Sequence, residues 1–156
     1  MSSTAASSSI PFFARFLITT LEPLFAFGGA LTVLFAPGTY LSGLTRGSLT
    51  SINPATQFIY TGQAGSWLHF AFIEAVVLRV FDDLRIWRWL CAASLCSDVL
   101  YCHSTAQGVG GWNVWFHIGS WTSEDWLVTV TTWPFVLVRI AIVLGLWGQT
   151  SRMKNA

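Results

Sequence analysis

WLVTVTTWPFVLVRIAIVLGLW, residues 126–147, is an apolar run interrupted by one charge, Arg139, and followed by Gly148 and a short polar tail. At ~1.5 Å per residue such a helix reaches ~33 Å, enough to cross a hydrocarbon core of ~30 Å. Three more runs of similar length lie at residues 16–36, 58–80 and 86–107. The first stops at Pro37-Gly38, the second at the polar turn Asp82-Asp83, and the third at Gly108, Gly110 and Gly111. In lipid only helices or closed barrels satisfy their backbone, and the short alternating strands of a barrel are missing. The expected fold is therefore all-α, an integral membrane four-helix bundle occupying residues 16–147.

The composition agrees. The 156 residues are 53% hydrophobic, 15% aromatic and only 10% charged, against roughly 25% charged in a soluble domain. Mean hydropathy is +0.57. A net charge of +1 with no basic patch argues against nucleic acid as a partner. The expected partners are the bilayer and a lipophilic small molecule, with room for a second copy or another membrane protein.

Charge sets the orientation. Arg15, Arg79, Arg85, Arg88, Arg152 and Lys154 fall on the side shared by both termini and the second loop, and only Arg46 lies opposite. By the positive-inside rule both termini are cytosolic. Trp87, Trp89 and Trp147 then mark the cytosolic boundary, and Trp112, Trp115, Trp121 and Trp126 the other. The Gly- and Trp-rich stretch 108–126 is expected to lie flat on the outer face as a lid. Residues 1–15 open on a Ser/Thr/Ala-rich segment and are expected to be disordered. The tail 148–156 is expected to be cytosolic. Its ending, Arg152-Met-Lys154-Asn-Ala, is similar to a dibasic retrieval signal and points to the endoplasmic reticulum.

No metal site or cofactor is expected. Cys91, Cys96 and Cys102 share one span at spacings unsuited to zinc, and no HExxH, CxxC, GxSxG or Gly-rich nucleotide loop occurs. What remains is a set of six ionisable residues at membrane depth: Glu22, His69, Glu74, Asp98, His103 and Arg139. Each costs roughly 2.5–3.5 kcal/mol to insert, so such groups turn inward and mark function. Counted from the cytosolic markers, Glu22, Glu74 and Arg139 lie ~8–12 Å deep in one layer, which predicts an ion-pair cluster. His69 and Asp98 both lie ~15 Å deep and are expected to meet. His69 and Glu74 are ~140° apart around their helix, so only one of them can face the bundle centre.

The third span extends this polar face through Cys91, Ser94, Asp98, Tyr101, Cys102 and Thr105 at three-and-four spacing. Trp67 and Trp133 fall in one outer layer, and Pro134 should bend the last helix around a cavity. Gly28-Gly29, between Ala26 and Ala30, reads as a close helix contact. The chemical reading is a lipid-embedded pocket with Glu74, Asp98 and His69 as catalytic acid and base. Trp67, Trp133, Tyr101, Glu22 and Arg139 would bind the substrate. Buried carboxyls and aromatic faces suit protonation of an apolar alkene or epoxide and stabilisation of the resulting cation.

The stretches Glu22-Pro-Leu-Phe-Ala-Phe-Gly-Gly-Ala, Phe72-Ile-Glu-Ala-Val-Val-Leu-Arg, Asp82-Asp-Leu-Arg-Ile-Trp-Arg, Ser97-Asp-Val-Leu-Tyr-Cys-His-Ser and Trp121-Thr-Ser-Glu-Asp-Trp carry a resemblance. From Arg15 to Leu146 the chain resembles a family of small four-span fungal membrane proteins grouped as a domain of unknown function, which implies the fold and no activity. More distantly it is similar to the emopamil-binding, sterol isomerase architecture and to fungal membrane-bound terpene cyclases. Those likenesses imply acid/base isomerisation or cyclisation of a terpenoid- or sterol-like substrate in fungal secondary metabolism. They would make Glu74 or Asp98 the proton donor with His69 as its partner, and Trp67 and Trp133 the cation-stabilising faces. Two alternatives stand beside the enzyme: a lipid-binding or transport protein using the same pocket, and a structural subunit of a membrane complex.

Overall fold

Two prolines inside apolar runs shape the helices. The computed structural model describes residues 4–147; the expected cytosolic tail, with Arg152 and Lys154, lies outside them. Among the described residues there is no strand. Helix α1 is Ala6–Ser9, α2 is Phe12–Phe35, α3 is Pro37–Leu44, α4 covers 57–80 and α5 is Leu84–Gly108. Helix α6 is Trp112–Trp115, α7 is Ser123–Val130 and α8 is Trp133–Leu144. Helix α2 and the α7–α8 segment Ser123–Leu144 are each long and apolar enough to cross a membrane.

Pro23 has no N–H to give the carbonyl of Thr19, and its ring would crowd that carbonyl in a regular α-helix. The chain answers with a π turn over Leu17–Leu21, where the Glu22 N–H reaches back five residues to the Leu17 carbonyl. The carbonyl that Pro23 cannot serve is taken by Arg79, whose Nη2 donates to it at 2.8 Å. A second π turn, Ile73–Val77, interrupts α4, and the Leu78 N–H likewise reaches the Ile73 carbonyl. The two π turns pack side by side. In the last apolar run Pro134 cannot donate to Val130, and the helix breaks at Thr131-Thr132 before restarting with Pro134 in its first turn. A break thus stands where a bend was expected, and Thr131 and Thr132 line the cavity described below.

Contacts Arg79 to Thr19 and Trp67 to Gly29 show α4 running antiparallel to α2. Arg139 to Asp98 and Gly145 beside Arg88 show the same for α8 and α5. A core of Ile10, Ile18, Leu78, Trp87, Phe135 and Ile142 fills the end near the termini, and a smaller one of Ala30, Val33 and Ala64 fills the other. Most of the remaining large apolar side chains point outward: exposed ones outnumber buried ones, among them Phe12, Phe35, Phe58 and Leu100.

The start of the chain differs from expectation. Residues from Thr4 onward are ordered against the bundle, not disordered. Ala6, Ile10, Ala14 and Ile18 repeat every fourth position and are all buried, a period hidden within a Ser-rich composition. The Ser7 N–H and hydroxyl donate to the two Asp82 carboxylate oxygens at 2.7 and 2.5 Å, and the Leu84 N–H donates to the Thr4 carbonyl. These Ser7 bonds hold the Asp82 carboxyl below its ordinary range. Its neighbour Asp83 caps α5, accepting from the Arg85 and Ile86 N–H groups.

Candidate functional site

Arg139 is fully buried on α8 and meets three carboxyls from three other segments. Its Nη1 donates to Asp98 Oδ2 on α5 at 2.6 Å. Its Nη2 donates to Glu74 Oε1 within the second π turn. Glu22, at the exit of the first π turn, places Oε2 at 2.8 Å from the same Nη2, off the N–H direction, so the contact is an ion pair without a hydrogen bond. Phe70 closes a fourth side with its ring centroid 4.6 Å from the guanidinium carbon, a cation–π contact.

Two of these three carboxyls are aimed by π turns. Such turns widen a helix and recur at functional sites, and here each turns one glutamate toward the same guanidinium. A single guanidinium faces three buried carboxyls. One guanidinium balances the charge of one carboxylate, so the cluster carries more acids than it has cations to match among the described residues.

Against this cluster lies a cavity of about 540 Å³. Glu22, Asp98 and Phe70 form the side next to Arg139, Trp67 and Tyr101 form a wall, and Tyr40 on α3 covers it. The Trp67 ring is steeply inclined to both Tyr40 and Tyr101, in T-shaped pairs with centroids 5.5 and 6.0 Å away. Burial pushes the Tyr40 hydroxyl well above its ordinary range, so it remains a donor. Gly29 explains how the Trp67 ring fits, since a Cβ there would lie 2.6 Å from the ring, whereas one at Gly28 would meet nothing. The close helix contact expected at Gly28-Gly29 is thus made by Gly29 and an aromatic ring.

The expected layer of Glu22, Glu74 and Arg139 is present as one cluster. Asp98, Trp67, Tyr101 and Glu22 all line the cavity, while Arg139 and Glu74 stand behind that lining. Glu74 is 1% exposed and faces the guanidinium instead of the cavity.

Two expectations fail. His69 is exposed, makes no hydrogen bond or ion pair among the described residues, and does not meet Asp98. The reason is angular: Glu74 takes the inward direction on α4, and Asp98 is claimed by the long arginine side chain. Trp133 does not line the cavity or meet Trp67, because the break at Thr131-Thr132 starts a new helix just before it. His103, also counted among the deep residues, is exposed and accepts from the Trp112 indole N–H at 3.1 Å.

Residues 7–149 match the family described as Domain of unknown function (DUF7704). The chain belongs to this family. No curated protein and no solved structure matches it. The matched span takes in every element of the site, from Ser7 through the Arg139 cluster.

The family domain also holds features that sequence reasoning missed. Asp125, 2% exposed, pairs with Arg46 Nε at 2.8 Å and joins the two loops on the cavity side. Arg46 adopts a left-handed backbone, φ +50°, followed by Gly47 at φ +76°, so this turn is bent tightly to deliver the guanidinium. Asp125 belongs to a capping box with Thr122, the Asp125 N–H donating to the Thr122 hydroxyl and the Thr122 N–H to the Asp125 carboxylate. Thr-x-x-Asp at the head of an apolar run was readable as a cap, and Arg46, the lone cation of its side, was the available partner. Phe70 carried no comparable signal.

The stretch 108–126, expected as a flat lid, contains α6 and a short 3-10 turn at Ile118–Ser120. Trp115, Trp121 and Trp126 pack on one another in series, with centroids 5.3 and 4.8 Å apart. The cover over the cavity comes from α3, through Thr39, Tyr40, Gly43 and Leu44, and of the stretch 108–126 Glu124 also lines the cavity.

Proposed function

We propose that this protein is a four-span integral membrane protein of the endoplasmic reticulum with both termini cytosolic. In this reading it holds a lipophilic, terpenoid- or sterol-like molecule in the Trp67 cavity and acts on it by proton transfer. The four spans are α2, α4, α5 and the α7–α8 segment. In support, only 17% of the apolar stretch within Ser123–Leu144 is buried inside the protein, unlike the mostly buried core helix of a soluble domain, and large apolar side chains such as Phe12, Phe35, Phe58 and Leu100 face outward.

One observation carries the chemistry: two carboxyls of a three-carboxyl, one-guanidinium cluster open into an aromatic-walled cavity. Glu22 or Asp98 would give a proton to an alkene carbon or epoxide oxygen, and the carboxylate so formed would recover a proton from the adjacent carbon of the cation. Trp67 and Tyr101 would stabilise that cation through their ring faces. Arg139 would limit the charge left on the carboxylates. His69 has no part in this version.

The test is turnover of polyprenyl and sterol candidates by microsomes carrying wild type, Glu22→Gln, Asp98→Asn or His69→Ala, with products read by mass spectrometry. Loss in the two carboxyl variants and retention in His69→Ala is expected; turnover equal in all four would overturn the reading. A non-enzymatic lipid-binding protein is favoured by one fact, that Arg139 already engages both Glu22 and Asp98, the two cluster carboxyls that line the cavity. It predicts recovery of the ligand chemically unchanged.

A further inference from the structure

On the opposite flank of α2 from the Trp67 cavity, a groove of about 500 Å³ runs between α2 and α4. We propose that it is a binding site for one anionic phospholipid of the cytosolic leaflet, with the phosphate at Arg79 and one acyl chain along the groove. The inference rests on the membrane reading and is independent of the cavity chemistry.

Polarity along the groove is graded. Thr19, Thr20 and Arg79 stand at one end, and the walls beyond them are apolar, with Pro23, Phe27, Leu68 and Phe72. Phe27 and Phe72 are among the exposed large hydrophobics. From Thr20 to Phe27 and from Arg79 to Leu68 the helices advance ~10 and ~16 Å, so the apolar part accommodates a run of methylenes rather than a headgroup.

The polar end is built, not incidental. Arg79 Nη2 is fixed by the Thr19 carbonyl freed by Pro23 and by the Thr20 hydroxyl, both at 2.8 Å. That holds the guanidinium over the groove end with its Nε and Nη1 donors making no hydrogen bond among the described residues, and leaves the Thr20 hydroxyl proton to be donated. A planar fork beside a hydroxyl suits a phosphate, which accepts in pairs from arginine. No carboxylate lines the groove to compete for it. Arg79 also belongs to the cationic set that places this end at the cytosolic face, where anionic lipids reside.

The experiment uses the full chain reconstituted in vesicles of phosphatidylcholine and phosphatidylserine in equal parts, extracted in mild detergent, with retained lipid counted by native mass spectrometry. Wild type and Arg85→Gln should retain phosphatidylserine. Arg79→Gln should lower retention by about tenfold or more, the change expected for a lost charge-assisted hydrogen bond. Ala75→Phe, which fills the groove wall and leaves Arg79 untouched, should lower it similarly while keeping a wild-type melting midpoint. Equal retention by wild type, Arg79→Gln and Ala75→Phe, or no preference for phosphatidylserine over phosphatidylcholine, would overturn the site. Release of wild type from microsomes by alkaline carbonate would instead overturn the membrane reading.

Discussion

Replacing Arg139 by methionine removes the only cation that meets the three carboxyls among the described residues. Methionine matches the length of the stem and fills the space without strain, so the loss is electrostatic. Leaving partners of a buried ion pair unmatched costs about 3–5 kcal/mol. For a chain of this size that lowers the melting midpoint by about 6–20 °C. Glu74→Gln is the informative comparison. The amide oxygen still accepts from Nη2, and one surplus acid is removed, so the change should cost less than about 1.5 kcal/mol, the ordinary net worth of a hydrogen bond. Adding Glu74→Gln to Arg139→Met should recover part of the loss, since one fewer unmatched carboxyl remains. Thermal unfolding of the detergent-solubilised protein, followed by tryptophan fluorescence, reads all three. The reasoning is refuted if Arg139→Met melts within a degree or two of wild type, or if Glu74→Gln is as damaging as Arg139→Met.

Gly29→Ala should displace the Trp67 ring and cost about 1–3 kcal/mol through overpacking, while Gly28→Ala should be neutral; melting midpoints and the Trp67 emission spectrum distinguish them. Asp125→Asn should leave the buried part of Arg46 without its counter-charge and cost about 1–3 kcal/mol, with faster amide exchange confined to residues 45–50 and 122–126. The Ser7–Asp82 tie depends on pH in a defined direction. Because Asp82 titrates below its ordinary range when folded, the tie is complete above that range and is lost as pH falls through the depressed value. Amide exchange at residues 6–10 should therefore rise on acidification, and Ser7→Ala should show the raised exchange already at neutral pH.

Some of this architecture could be read by counting along the chain. Glu22, Glu74 and Arg139 meet because their distances along the helices from Arg15, Arg79 and Trp147 agree, and a rise of ~1.5 Å per residue carries that inference without knowledge of packing. Trp67, Tyr101 and Asp98 reach the cavity because helical periodicity places the last two on one face. Azimuth was harder. The π turn at Ile73–Val77 and the break at Thr131-Thr132 alter the angular phase of α4 and of the last helix, and His69 and Trp133, the residues misjudged, lie beside them. Asp98 was expected three ångströms or so deeper than Arg139, but a guanidinium on a long stem bridges such an offset. Burial of the N-terminal segment has a faint signature, because only Ala6 and Ile10 carry the four-residue period into the Ser-rich start of the chain.

The Thr19 carbonyl has a consequence for inheritance. Pro23 withholds a hydrogen bond, the π turn makes space for its ring, and Arg79 supplies the missing donor from another helix. Any one of the three is a defect without the others: an arginine held by the Thr20 hydroxyl alone, an unserved carbonyl, or a widened turn with no cause. Substitutions at Pro23 and Arg79 should then be tolerated together more readily than singly, and the two positions would be expected to change in concert among relatives, a pairing across 56 positions that no motif spaced along one helix would disclose.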